Sequence, residues 1–266
     1  MRAYVTRDKD KVAGWFSRID AELVYSVACA QRQEKLAGSV VEIGLHHGKS
    51  FIALCLSLQG GEKAYGIDLF ENQSLNIDAS GKGERAILEA HLSRFNVNRQ
   101  SVVIDDRSSM EIKPSDILTT VGAARLFSVD GGHWLDVVRS DLSLAENCLA
   151  THGVIALDDF LRPEWPDVSA GYFSWYEHRK KPIVPIAIGF NKLYLCFEEW
   201  AKLYAEVLER SPTLKQFLTK RYSFQGQDVP VYQTYLLPEF GYRRRLREYL
   251  KIYYPGLFLR LRGVRS

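Results

Sequence analysis

Between residues 39 and 159, short apolar runs alternate with stretches of helical spacing, and no other feature of the sequence limits the fold as much. SVVEIGL (39–45) precedes a helical 49–58, KAYGIDL (63–69) precedes 83–96, SVVID (101–105) precedes 111–121, ARLFSVD (124–130) precedes 134–149, and GVIALDD (153–159) follows. Strands and helices in such alternation build a parallel sheet covered on both faces. The runs are continuously apolar, as burial on both faces requires. Two more runs, IVPIAIG (183–189) and KLYLCFE (192–198), are separated only by Phe190 and Asn191. That link cannot carry a crossover helix, so these two strands pair antiparallel.

Before the first strand, Ile19, Leu23, Val24, Val27 and Ala28 fall at helical spacing, with Gly38 as a stop. The expected division is an N-terminal helical segment over 1–37, a core over 38–199, and a C-terminal helical, basic extension over 200–266 with helices near 200–221 and 242–253. At 46% hydrophobic and 25% charged residues the chain has the composition of a soluble globular protein. It shows neither a charged leader before an apolar stretch nor an apolar run near the ~18 residues that span a bilayer, so the expected location is cytoplasmic. Cys29, Cys55, Cys148 and Cys196 lie far apart in apolar segments without a C-x-x-C pair and read as reduced core residues.

VEIGLHHGKS (41–50) ends like a nucleotide-triphosphate loop, but only Leu45, His46 and His47 separate Gly44 from Gly48, one residue too few to circle a phosphate. A strand ending in Glu-x-Gly instead suits S-adenosyl-L-methionine. Glu42 can accept from the ligand's ammonium group, Gly44 allows a sharp turn, and Gly48 allows close approach of the backbone. Asp68, 24 residues after Gly44, stands where an acid after the second strand meets ribose hydroxyls. Histidine where a dinucleotide loop needs its second glycine counts against NAD. After the third strand, Ser108 is the candidate for the adenine side.

Asp130 and His133 follow the fourth strand, and Asp158 and Asp159 end the fifth. Ligands of open α/β sheets bind beyond the carboxyl ends of the strands, so these residues share a rim with Glu42 and Asp68. Three carboxylate oxygen donors suit Mg²⁺ or Mn²⁺; the plainer alternative is that Asp158 and Asp159 cap the next helix. Histidine titrates near neutrality and can take a proton from a hydroxyl nucleophile; alternatively His133 only bonds a loop carbonyl. Trp165, Tyr172, Phe173, Trp175 and Tyr176 after Asp159 suit a sugar or aromatic acceptor, or simply pack a lid helix.

Taken together, VVEIGLHHGKS, YGIDLF, FSVDGGHWLDVVRSDL and GVIALDDF resemble class I S-adenosylmethionine-dependent methyltransferases, specifically the macrocin and mycinamicin type of small-molecule O-methyltransferases, over roughly residues 38–198. The resemblance implies a Rossmann-like, doubly wound α/β sheet of seven strands, mostly parallel with a terminal antiparallel hairpin. It implies that Glu42, Gly44, Gly48, Asp68, Ser108 and Asp130 contact S-adenosylmethionine, that Asp130, Asp158 and Asp159 hold magnesium, and that His133 is the catalytic base. The implied acceptor is a hydroxyl of a sugar or glycosylated small molecule. The rivals are a cephalosporin hydroxylase-like metal enzyme on a related sheet and a cofactor-binding protein without turnover.

Residues 241–266 carry eight Arg or Lys against one Glu, so the net +3 of the whole chain leaves −4 for the rest. Arg243, Arg244, Arg245, Arg247 and Lys251, interleaved with Leu246 and Leu250, form an amphipathic basic pattern suited to an anionic membrane surface, a second subunit in a homo-oligomer, or plain solvation. With the remainder acidic and no recognition motif, nucleic acid is not an expected partner.

Overall fold

A computed structural model describes residues 1–72, 74, 76, 80–233, 246, 250, 254 and 257. One compact unit runs from Met1 to Tyr232 and a second from Gln233 to Ser266. Of the basic tail, the described Leu246 and Leu250 are helical, and the expected basic face of Arg243, Arg244, Arg245, Arg247 and Lys251 lies outside the described residues. No helix among the described residues is long and apolar enough to cross a membrane.

After two short helical turns at Tyr4–Asp8 and Lys9–Lys11, the first unit has helix α1 (Arg18–Gln33), whose N-cap Ser17 accepts from the amide of Asp20. Then come β1 (Ser39–Ile43), α2 (Phe51–Cys55), β2 (Ala64–Ile67), α3 (Arg85–Arg94), β3 (Val102–Asp105), α4 (Pro114–Val121), β4 (Ala124–Val129), α5 (Leu135–Cys148), β5 (Leu149–Leu157) and α6 (Pro166–His178). The hairpin β6 (Ile183–Ile188) and β7 (Leu193–Phe197) follows, then α7 (Glu198–Arg210), α8 (Pro212–Lys215), β8 (Leu218–Phe224) and β9 (Gln227–Tyr232).

The sheet order is β3-β2-β1-β4-β5-β7-β6-β9-β8. Strands β1 to β5 run parallel, while β7 is antiparallel to β5 and to β6. Chain direction across the sheet therefore reverses between β1 and β4, which opens a crevice at their carboxyl ends. The α/β class, the parallel order and the antiparallel hairpin agree with the sequence reading; the strand count does not, because the described sheet has nine strands rather than seven. Of the two extra strands, β8 begins inside the stretch that the sequence suggested as helix to 221, and β9 follows it. β8 is exposed along most of its length, so it shows no apolar period, and its turn is made by Gln225 (φ 51) and Gly226 (φ 79). Two successive left-handed residues form the tight turn that joins antiparallel strands.

Two apolar cores sandwich the sheet. On one face α1 and α2 bury Leu23, Val27, Phe51 and Leu54 with Val40 and Leu126; on the other α5 and α6 bury Leu142, Tyr172 and Trp175 with Val41, Phe127 and Ile155. Adjacent strand residues thus divide between the cores, as a period of two requires.

Candidate active site

The crevice is a cleft of about 590 Å³, within the range of small-molecule sites. Its floor is the set of loops leaving β1, β2, β4 and β5, and its lining includes Gly44, Asp68, Ser108, Asp130, His133, Asp158 and Asp159. Seven of the residues singled out from the sequence are thus brought together.

Gly44 leaves β1 at φ 83, a region that favours glycine, and a Cβ there would lie 1.7 Å from the carbonyl oxygen of Asp130. The first glycine therefore permits the loops after β1 and β4 to touch. Asp68 braces the same loop: its Oδ2 accepts from the amides of Leu45 and His46, both at 2.7 Å, and its Oδ1 from that of Phe70 at 2.7 Å. The acid expected to meet a ribose thus fixes the backbone of the loop after β1. Ser108 caps a short turn by accepting from the Met110 amide and lies on the cleft wall.

Two expected contacts are not placed in the cleft. Glu42 is fully buried and lines a separate internal cavity of about 10 Å³ with Ser50, Ser128, Lys192 and Tyr194. Strand alternation is the reason, since the cleft wall begins at the next residue, Ile43. Burial pushes the Glu42 carboxyl up to about 7, against the opposing charge of Lys192. Gly48 (φ 88) makes room for α3 rather than for a ligand, because a Cβ there would lie 2.5 Å from Leu88 Cδ1.

Asp130, Asp158 and Asp159 present oxygens all within 4.8 Å of one another. Asp159 has a left-handed backbone (φ 53), which aspartate tolerates and which turns its carboxylate to the side of its neighbour. The chain's own donors already engage this cluster. Asn191 Nδ2 donates to Asp158 at 2.7 Å and to Asp159 at 3.3 Å, and Lys192 Nζ lies 2.8 Å from Asp158 and 3.4 Å from Asp130. Neither Asn191 nor Lys192 was singled out from the sequence. Burial, then the Asp158 charge, pushes the Asp130 carboxyl well above the ordinary range.

His133 Nε2 lies 3.1 Å from Asp159 Oδ2, and the Trp165 ring stacks on the imidazole at 4.1 Å and 15°. A carboxylate on one side and an aromatic plane on the other fix the ring's orientation, which a general base requires. Tyr172, Trp175 and Tyr176 are buried in the core, so the packing alternative holds for them. Trp15 and Trp134, in contrast, are exposed on the cleft lining. His46 also lines the cleft, with its ring 5.7 Å from Trp15 and 4.0 Å from His47. His91 Nδ1 donates to the His47 carbonyl, and His152 Nε2 to that of Ala37, both structural roles.

Beneath the loop after β4, Asp141 of α5 is 1% exposed, and burial lifts its carboxyl to about 7, offset only by the Ser109 hydroxyl. A folded pKa raised above 3.8 means that the folded state holds a proton the unfolded chain has released, so stability falls as pH rises from about 4 through 7. Urea denaturation should show Asp141→Asn more stable than the wild type at pH 8, by up to about 4 kcal/mol, with the advantage gone at pH 4. Equal midpoints at both pH values would refute this.

Residues 41–160 match the family model described as a methyltransferase domain. Among solved structures, the O-methyltransferase NovP superposes with a TM-score of 0.56 at 12% identity, over 66% of this chain and 78% of its own. CalS11, a TDP-rhamnose 3'-O-methyltransferase of calicheamicin biosynthesis, reaches 0.49 at 16% identity over 67% and 80%. An O-methyltransferase from Bacillus cereus in complex with SAH reaches 0.48 at 15% identity over 65% and 79%. No curated protein matches the sequence significantly. The NovP superposition bears on the fold, and the family match bears on the chemistry of the domain.

Proposed function

We propose that this chain, whose residues 41–160 match a methyltransferase domain, is a class I methyltransferase that moves the methyl group of S-adenosylmethionine to a hydroxyl oxygen of a sugar or glycosylated small molecule. The observation that carries the reading is His133, oriented by Asp159 at 3.1 Å on the wall of the cleft that Gly44, Asp68 and Ser108 also line. The acceptor oxygen attacks the sulfonium methyl carbon in line, the S–CH₃ bond breaks as the O–CH₃ bond forms, and the hydroxyl proton passes to His133. The products are a methyl ether and S-adenosylhomocysteine. Geometry matters most in such a displacement, and the clamped imidazole supplies it. The exposed indoles of Trp15 and Trp134 offer apolar faces to the C–H surfaces of a sugar.

The donor set of three carboxylates, hard oxygen ligands within 4.8 Å of one another, fits magnesium. When bound, the ion would act as a Lewis acid that favours the ionised form of the acceptor. Asp130, Asp158 and Asp159 would hold it; Asn191 orients two of them.

Calorimetry with S-adenosylmethionine and S-adenosylhomocysteine, each with and without Mg²⁺, tests the reading. Binding of both without turnover on any hydroxyl acceptor would favour the rival of a cofactor-binding protein, and no binding under any condition would end the methyltransferase proposal. A homo-oligomer and a peripheral membrane contact through the basic tail remain part of the proposal from sequence alone.

A further inference from the structure

We infer that Lys192 is a built-in rival to the divalent ion at the three-aspartate cluster, holding a place among the ligands that it cannot vacate and so keeping ion binding weak. The inference rests on the reading of Asp130, Asp158 and Asp159 as that ion's donors.

The ammonium lies where a bridging cation would lie, 2.8 Å from Asp158 Oδ2 and 3.4 Å from Asp130 Oδ2. Asn191 takes the other oxygen of Asp158 at 2.7 Å, so an arriving ion finds both oxygens of that carboxylate engaged. The side chain is 2% exposed, which leaves it no route into solvent. Its backbone is equally fixed. The Lys192 carbonyl accepts from the Gly189 amide at 2.7 Å, the Asn191 carbonyl accepts from the Phe160 amide at 3.0 Å, and Leu193 pairs with Leu157.

The fully buried carboxyls of Glu42 and Asp20 both feel the Lys192 charge as an opposing field, and Lys192 shares the small internal cavity with Glu42. One cation thus lies between the aspartate cluster and a second buried acid. A like charge a few ångströms from a divalent ion opposes that ion.

Full-length wild type, Lys192→Met and Lys192→Arg should be titrated with Mn²⁺, with the free ion followed by electron paramagnetic resonance and S-adenosylhomocysteine binding measured on each sample. The methionine keeps the side-chain length and removes the charge, so Lys192→Met should bind Mn²⁺ at least about tenfold more tightly than wild type, with Lys192→Arg close to wild type. Equal or weaker binding by Lys192→Met that still binds S-adenosylhomocysteine overturns the inference and leaves the ion site standing. No Mn²⁺ bound by any of the three removes the ion site itself, and the inference falls with it. Should Lys192→Met fail to fold, the wild type decides: Mn²⁺ retained through a desalting column shows tight binding and overturns the inference.

Discussion

His133→Ala should lower kcat by about 10²- to 10⁴-fold, the usual contribution of a positioned general base, while the affinity for S-adenosylhomocysteine changes little. The separation follows from where the residue stands. The imidazole contacts Asp159 and the Trp165 ring, and the loop that receives the cofactor is braced by other groups, the amides of Leu45 and His46 on Asp68. Losing the ring removes a proton acceptor and leaves that bracing in place. Single-turnover kinetics at saturating donor together with calorimetry read the two quantities. A large loss of cofactor affinity with kcat preserved would instead make His133 a cofactor contact and return the proton to solvent.

Elements were legible in the sequence wherever local pattern decides them. The runs 39–45, 124–130 and 153–159 became β1, β4 and β5 because burial on both faces demands unbroken apolar residues, and the two-residue link at Phe190 and Asn191 left only an antiparallel pairing. The rim of Asp68, Asp130, Asp158 and Asp159 followed from where strands end. Lys192 illustrates what was not legible. At the start of KLYLCFE a lysine reads as a solvated strand end, and its burial depends on carboxylates 62 and 34 residues away in sequence that only the folded sheet brings to it. Glu42 was misplaced for a related reason. Its distance from Gly44 was right, but the face of the strand was set by which neighbours each side found, with Ile43 meeting the cleft. β8 went unseen because it buries almost nothing, and Gln225-Gly226 was the one local sign of its turn.

Gly44→Ala should abolish detectable S-adenosylhomocysteine binding, and Gly61→Ala separates the two causes that could be blamed. Both glycines sit at φ 83, so an alanine at either pays the same left-handed strain, about 1–2 kcal/mol. They differ in what the new methyl meets. At Gly61 nothing lies within 4 Å, whereas at Gly44 the Cβ would fall 1.7 Å from the Asp130 oxygen and 2.5 Å from its carbonyl carbon. No rotamer relieves a collision with backbone, so the loops after β1 and β4 must part. Because Asp130 belongs to the carboxylate cluster and Asp68 holds the next two amides, that parting spoils the cofactor loop and the cluster together. Gly61→Ala should therefore lose only stability, read as a lower urea midpoint with cofactor affinity intact, while Gly44→Ala should lose both. If Gly44→Ala bound the cofactor as well as Gly61→Ala does, the contact between the two loops could not be what shapes the site.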